Sequence, residues 1–445
     1  MNTDTIYSLV TAPINQNIAI IRISGSDSKK IFTIITNIKE TEIIGNKAYN
    51  KNVLVNNKII DNALFIFFRN PNSFTGEDVL EIQTHGNLIV INKIIKLLEK
   101  LNLRQAEPGE FSRRAYLNNK INLMQAEAIN SLIFANSEIV QNTSSDLLSG
   151  KTSSNLKDIR DDILSIIATI EMSVDYPEFD ESRKVTDKKI KQELNKINKN
   201  LSSTFDNSNK LSTIENGIKI AIVGKPNVGK SSLLNAILKK EKAIVFDMPG
   251  TTRDIVEGEF YMDGLTYKII DTAGIRKTNE AVESIGINIA IKQISQADIV
   301  LVIIDNSKKV SKQDLSIIDK AKNKNHIIVL NKTDLNKNLN EYKNSVKISA
   351  KNNDINELIK AIKKETRNII PKSTNNLLLG ERQINLIEKT VTLLNNIIDS
   401  ISQTPVLDLI VEDLKEIYNL LGEAVGEKVD INILDKIFSK FCLGK

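Results

Sequence analysis

Gly224-Lys225-Pro226-Asn227-Val228-Gly229-Lys230-Ser231 is the stretch that decides the fold. Its spacing, G-x-x-x-x-G-K-[ST], is that of a phosphate-binding loop. The flanks suit it. Ile218–Val223 predicts a short buried strand, and Ser232–Lys239 predicts the opening of a helix. Strand, glycine loop and helix bring backbone N–H groups around phosphate oxygens, and the helix N-terminus adds a favourable field. In this arrangement Lys230 reaches the outer phosphates and the Ser231 hydroxyl ligates Mg2+, while Asn227, Val228, Gly229 and Ser232 complete the cradle.

Four further elements follow in the order a guanine-nucleotide switch requires. Asp247-Met248-Pro249-Gly250-Thr251-Thr252-Arg253-Asp254 is a switch loop, with Thr252 the expected second protein ligand of Mg2+. The strand Tyr267–Ile270 leads into Asp271-Thr272-Ala273-Gly274, where Asp271 serves the metal's outer shell and the Gly274 amide meets the γ-phosphate. Strands Ile299–Ile304 and His326–Leu330 follow, the second ending in Asn331-Lys332-Thr333-Asp334. The two oxygens of Asp334 match the paired N–H donors on guanine's Watson–Crick edge. Adenine lacks that pair and would leave the carboxylate unpaired, a strong discriminator. Ser349-Ala350-Lys351 closes the base pocket. The expected domain is therefore an α/β P-loop (Ras-like) GTPase domain.

Two positions shape the chemistry. In Ras-like switches a Gln after the Asp-x-x-Gly turn orients the attacking water, but Ile275 stands there and cannot hydrogen-bond it. Asn227 offers a neutral carboxamide oxygen suited to a monovalent cation such as K+, which would offset charge on the phosphates. The bland reading of Asn227 is an ordinary loop hydrogen bond, and Arg253 and Arg276 are rival sources of positive charge.

Composition sets outer bounds. The 445 residues suffice for two to four domains. With 60 Lys+Arg against 55 Asp+Glu, the net charge of +5 permits an RNA partner without demanding one. Abundant Ile, Asn and Lys reads as A/T-rich coding. The single cysteine, Cys442, excludes an internal disulfide and suits a reducing compartment. Neither a signal peptide nor a membrane span is visible, so a cytoplasmic location is expected.

Around the loop the chain changes character. Residues 1–117 show strands at Ile18–Ile23, Ala63–Phe68 and Val79–Gln83 and a helix at Ile89–Lys100, without strict βαβ alternation, so an α+β domain is expected. Its polar loops Asn72–Asp78 and Glu107–Arg114 read either as solvated turns or as ligand-binding segments. His85 reads as a turn or core residue. From 118 the pattern turns helical: Leu156, Ile159, Ile163, Ile166 and Ile170 recur at helical spacing, as do Ile384, Ile387, Val391, Leu394 and Ile398 on the far side of the loop. The expected organisation is 1–117, 118–215, 216–374 and 375–445, with the second and fourth segments forming one discontinuous all-α domain and the nucleotide domain inserted between them; two separate bundles are the alternative. The Lys/Asn-rich stretch Arg183–Lys210 reads either as a solvated helix face or as an RNA-contacting one.

The chain resembles the MnmE (TrmE) family of tRNA modification GTPases. The resemblance rests on Ile-Arg-Ile-Ser-Gly at 21–25, Thr-Gly-Glu-Asp-Val-Leu-Glu at 75–81 and Glu-Pro-Gly-Glu-Phe-Ser at 107–112. It continues through Leu-Asn-Asn-Lys-Ile-Asn-Leu-Met-Gln-Ala-Glu-Ala-Ile at 117–129 to the tail Phe-Cys-Leu-Gly-Lys, where Leu443 replaces the family's usual Ile. It implies an N-terminal, dimer-forming domain that binds 5,10-methylene-tetrahydrofolate (or its 5-formyl analogue) through Arg22, Glu81, Lys120 and Lys445. It implies K+ bound by Asn227, Phe246, Met248 and Thr251, driving pairing of two nucleotide domains, and a catalytic Glu283 that supplies what Ile275 cannot. It also implies a flavoprotein partner, MnmG (GidA), which carries the FAD, in a heterotetramer that modifies C5 of the wobble uridine of tRNA. Cys442 reads either as a participant in that chemistry or as a small apolar residue. The alternative, a ribosome-assembly GTPase of the Era/Der type, usually has a second nucleotide domain or a KH module. Only one G-x-x-x-x-G-K-S occurs here, and no G-x-x-G follows residue 375.

Overall fold

The computed structural model describes residues 4–175, 183–240, 256–270, 291–335, 342, 345–372, 376–403, 407–427, 431–439, 441–442 and 444. By internal contact it divides into two compact units. One comprises Met1–Asn130, Leu147–Asp175 and Asp408–Lys445, the other Ser131–Asp146 and Tyr176–Leu407.

The first unit is built on a six-stranded sheet in the order β3-β4-β5-β2-β1-β6. Its strands are β1 (Ile6–Leu9), β2 (Gln16–Ser24), β3 (Lys47–Val55), β4 (Lys58–Phe68), β5 (Val79–Gly86) and β6 (Arg104–Gln105). Helices α1 (Ser28–Thr36) and α2 (Leu88–Lys100) cover it. Alternation in β4 and β5 turns Ala63, Phe65, Phe67, Leu80 and Ile82 inward, onto Ile31, Phe32, Ile35, Ile91, Ile94 and Leu98 of the two helices. Phe32 stacks on Phe65 at 5.0 Å and meets Tyr49 edge-on at 5.3 Å. The β3–β4 hairpin turns at Asn56-Asn57, both left-handed (φ 50° and 58°), as a two-residue turn of matching twist requires.

After α3 (Glu110–Leu117) and α4 (Leu123–Ile133) the chain passes through α5 (Glu138–Leu148), most of which belongs to the second unit, and re-enters the first with α6 (Lys151–Asp175). The C-terminal helices return to this unit. Leu434, Phe438 and Phe441 bury themselves against Leu123 and Ala126, and Arg113 pairs with Asp435 at 2.7 Å. Gly109 is left-handed (φ 71°), and a Cβ there would strike the Phe438 carbonyl.

The second unit holds a six-stranded sheet in the order β12-β11-β10-β7-β9-β8, parallel except for β8. Its strands are β7 (Ile218–Val223), β8 (Val256–Met262), β9 (Leu265–Ile270), β10 (Ile299–Asp305), β11 (Asn325–Asn331) and β12 (Ser345–Lys347). Every residue of β10 is buried, the signature of a central parallel strand covered on both faces. Helices α8 (Lys230–Lys240), α9 (Lys312–Ala321) and α10 (Asn356–Ile369) belong to this domain. The long α7 (Arg183–Glu215) packs along α11 (Glu381–Gln403), with Asn198 donating to Asn395 at 2.7 Å. The expected α+β domain, α/β P-loop domain and interrupted helical segments are all present. Helices α12 (Leu407–Ala424) and α13 (Ile431–Phe438) complete the described elements. Among the described residues no helix is long and apolar enough to cross a membrane.

Candidate nucleotide and N-terminal sites

The loop between β7 and α8 has the backbone that its sequence demands. Gly224 (φ 155°) lies so close to the Ile303 carbonyl that a Cβ would sit 2.5 Å from it. Gly229 (φ 102°) leaves no room for a Cβ beside the Asn331 amide. Asn227 is left-handed at φ 64° and exposed. The first α8 hydrogen bond runs from Leu233 N to the Gly229 carbonyl at 2.9 Å, so the preceding amides have no acceptor within the helix and face outward. Ser231 and Ser232 are exposed at this end. Lys230 Nζ folds back onto the Gly224 and Lys225 carbonyls at 2.8 and 2.9 Å, and burial pulls its pKa below the ordinary lysine value.

Side chains from the end of β11 tie the loop to the base pocket. Asn331 donates to the Val228 carbonyl at 2.8 Å while its oxygen accepts from Ala350 N at 3.1 Å. Lys332 donates to the Asn227 carbonyl at 2.8 Å and pairs with Asp305 at 2.7 Å. Burial acts against the Asp305 carboxylate, but Lys332 and Ser307 outweigh it and hold its pKa below the usual value. Thr333 Oγ1 donates to the Ile348 carbonyl at 2.9 Å, which anchors the turn. The exposed Asp334 accepts from the buried Ser349 Oγ at 2.8 Å, and Lys351 stands exposed beside them. The structure thus brings Asn227, Val228, Gly229, Lys230, Ser231 and Ser232 to the same end of the sheet as Asn331, Lys332, Thr333, Asp334, Ser349, Ala350 and Lys351. Asp305 was missed. Its signal was a carboxylate closing an all-apolar strand. Phe246, Asp247, Met248, Pro249, Gly250, Thr251, Thr252, Asp271, Thr272, Ala273, Gly274 and Glu283 lie outside the described residues, as do Arg253, Ile275 and Arg276.

In the first unit the β2–β5 register sets Arg22 directly across from Glu81. Arg22 Nε donates to Glu81 Oε1 at 2.8 Å, and the guanidinium lies 5.9 and 5.7 Å from the ring centres of Phe74 and Phe111. Its Nη1 donates to the Gly444 carbonyl at 3.3 Å, which brings that residue of the C-terminal tail beside it. Lys120 Nζ donates to the Pro71 carbonyl at 2.9 Å, and Lys445 lies outside the described residues. Cys442 is partly exposed, and its carbonyl accepts from Gly109 N at 3.3 Å.

The polar loops largely satisfy each other. Arg114 donates to Asp4 (2.9 Å), Glu77 (3.2 Å) and Glu110 (3.0 Å), and Arg104 binds Glu110 (2.7 Å) and Asp4 (2.9 Å). Burial works against the Glu110 carboxylate, yet Arg104, the Glu107 amide and Arg114 hold its pKa below the ordinary value. His85 is neither core nor turn: it lies exposed near the end of β5, its Nδ1 2.7 Å from Asp61.

A phosphate loop joined by Asn-Lys-x-Asp and Ser-Ala-Lys at one end of the sheet defines a guanine-nucleotide-binding protein of the P-loop class. Comparison with known proteins narrows this. Residues 5–120 match the family model described as GTP-binding protein TrmE N-terminus, and residues 123–442 match that of the MnmE helical domain. A protein of Malacoplasma penetrans named tRNA modification GTPase MnmE is 41% identical, with 99% of this chain and 100% of that one covered. Its namesake in Clostridioides difficile is 37% identical with 99% of each covered. Among solved structures, the G domain of the T. maritima FeoB iron transporter covers 34% of this chain and 98% of its own at 24% identity and a TM-score of 0.26, a likeness too slight to add to these. The chain belongs to the MnmE family.

Proposed function

We propose that this chain is the GTP-hydrolysing member of a tRNA wobble-uridine modification system. The full-length similarity to proteins named tRNA modification GTPase MnmE carries the reading, and the guanine-selecting residues tied to the phosphate loop support it. An Era/Der-type assembly factor fits less well, because both family models belong to this family and together span residues 5–442.

In this reading 1–117 is a folate-binding and dimerising domain, 118–215 and 375–445 are the two parts of a helical domain, and 216–374 is the GTPase domain. Lys230 leaves the two loop carbonyls to meet the phosphates, Asp334 selects guanine, and Ser231 with Thr252 would hold Mg2+. Only the backbone carbonyl of Asn227 is engaged among the described residues, which leaves its carboxamide to bind K+ with Phe246, Met248 and Thr251. Bound, these cations supply positive charge against the phosphates. Glu283 orients the attacking water, the task Ile275 cannot perform. The half-buried Arg22–Glu81 pair, with Phe74, Phe111 and Gly444 close to the Arg22 guanidinium, suits a ligand with both polar and aromatic parts. With Lys120 and Lys445 they would hold methylene-tetrahydrofolate, which when bound supplies the transferred carbon. MnmG, with its FAD, is the proposed partner of the homodimer, acting on tRNA in the cytoplasm.

The test measures GTP turnover in K+ and in Na+, and wobble-uridine modification in cells lacking the chain. The expected results are turnover at least about tenfold faster in K+ and modification that returns only with the restored chain. Equal rates in the two salts sink the cation assignment; modified tRNA without the chain sinks the whole reading.

A further inference from the structure

Asn331 and Lys332 hold the phosphate loop from the base side, through the carbonyls of Val228 and Asn227. A third tie reaches it from elsewhere. Lys225, the second residue of the loop, sends its Nζ 2.7 Å from Asp314 Oδ2 and 2.8 Å from Ser311 Oγ. Ser311 caps α9, and Asp314 three residues on accepts from Ser311 N at 2.9 Å, so the two form a reciprocal capping box. Such a box needs only the helix end's own N–H groups, and an aspartate is rarely fully buried unless it is paired. Here Asp314 is only 3% exposed, and Lys225 is the cation paired with it among the described residues. A carboxylate this buried is costly unless a charged, hydrogen-bonding partner meets it.

We propose that Lys225 and Asp314 form a positioning pair that sets the phosphate loop in its nucleotide-ready shape. The inference rests on the assignment of this loop as the GTP site. The backbone carbonyl of Lys225 is one of the two that Lys230 occupies, so fixing residue 225 also fixes where Lys230 starts. Pairing with Asp314 likewise holds the Lys225 ammonium on the α9 side. The pair acts on the loop whether two or three phosphates are bound. It therefore contributes to binding of GDP and GTP alike and not to the transition state specifically.

Three variants test this on the full chain, using a fluorescent GDP analogue, GTP turnover and thermal unfolding without nucleotide. Lys225→Met is expected to weaken GDP and raise the KM for GTP together, by about tenfold, with kcat within about twofold. Lys225→Arg keeps the charge and is expected to restore affinity to within about threefold. Lys225→Met with Asp314→Leu removes the stranded carboxylate and is expected to recover thermal stability without recovering affinity. Three results overturn the proposal: wild-type affinity in Lys225→Met, a fall in kcat with KM unchanged, or recovery of affinity in the double variant, which would make the pair structural only. If Lys225→Met does not fold, the double variant and Lys225→Arg decide alone. A wild-type chain that binds no guanine nucleotide fails the site assignment itself, a different result from any of these.

Discussion

The two polar sites of this molecule are built on opposite plans. The proposed nucleotide site grows from one continuous loop, held by Asn331 and Lys332 at the end of β11 and by Asp314 of α9. The N-terminal site has no such loop. Arg22 and Glu81 meet only through the β2–β5 register, Phe74 and Phe111 come from separate segments, and Gly444 arrives from the far end of the chain. Backbone recognition depends on a few unusual dihedral angles, so it tolerates almost no change at those points. Side-chain recognition spreads over many contacts and should degrade by degrees.

Gly229→Ala is the sharpest way to break that contrast. The substitution puts an L-residue at φ 102° and a methyl group into the Asn331 amide that secures Val228. GTP affinity is expected to fall by more than about a hundredfold. Gly264→Ala is the control: the backbone is again left-handed (φ 79°), but a Cβ there meets only Tyr261 Oη, at 3.8 Å. It should cost about 1 kcal/mol of stability and no affinity. Equal losses of affinity in the two would mean that backbone strain anywhere in this domain disables the site.

The same contrast explains what the sequence could disclose. Glycines at fixed offsets and an all-apolar strand such as Ile299–Ile304 encode the nucleotide domain locally, so the loop and strands β7, β9, β10 and β11 were legible to within a residue or two, while the edge strands β8 and β12 were not. Strand β3, Lys-Ala-Tyr-Asn-Lys-Asn-Val-Leu-Val, was not, because it is an edge strand exposed along most of its length and carries little apolar signal. Its clearest cue was the Asn56-Asn57 turn. No spacing rule joins residue 22 to residue 81, so Arg22 and Glu81 came from family resemblance alone. The Arg104–Arg114–Asp4–Glu77–Glu110 network escaped for the same reason. The Lys225–Asp314 tie was half-visible: Ser311-Lys-Gln-Asp314 is a capping-box pattern, but its burial depends on the fold.

Arg22→Met tests the side-chain plan. It leaves Glu81 half-buried without its cation and removes the donor to Gly444. Tetrahydrofolate binding, followed by calorimetry, is expected to weaken about tenfold, with about 1–2 kcal/mol lost from the stability of the first unit. Adding Glu81→Leu should return much of the stability and none of the binding. Should tetrahydrofolate bind all three chains equally, Arg22 and Glu81 form a structural pair, and the contrast with the nucleotide site narrows to the fold.

The smallest effect separates the regions by the sign of their pH response. Glu110 has its pKa held below the ordinary 4.5, because Arg104, the Glu107 amide and Arg114 outweigh burial. Its contribution is present above the unfolded value and is lost as pH falls through the native one. Glu215, at the end of α7, is the reverse. Burial raises its pKa above 4.5 against a single hydrogen bond from Ser131 (3.1 Å). Its stabilising contribution is complete below 4.5 and is lost as pH rises through the raised native value. Glu110→Gln should therefore lower stability by about 1 kcal/mol at neutral pH, with the deficit shrinking in acid. Glu215→Gln should raise neutral stability by a similar or smaller amount, with the gain shrinking in acid because the wild-type carboxyl is then protonated. Thermal scans of both variants from about pH 4 to pH 8 read the two slopes directly. Slopes of the same sign would mean that the ion network around Arg114 and the half-buried carboxylate beside Ser131 are not the opposites their surroundings imply.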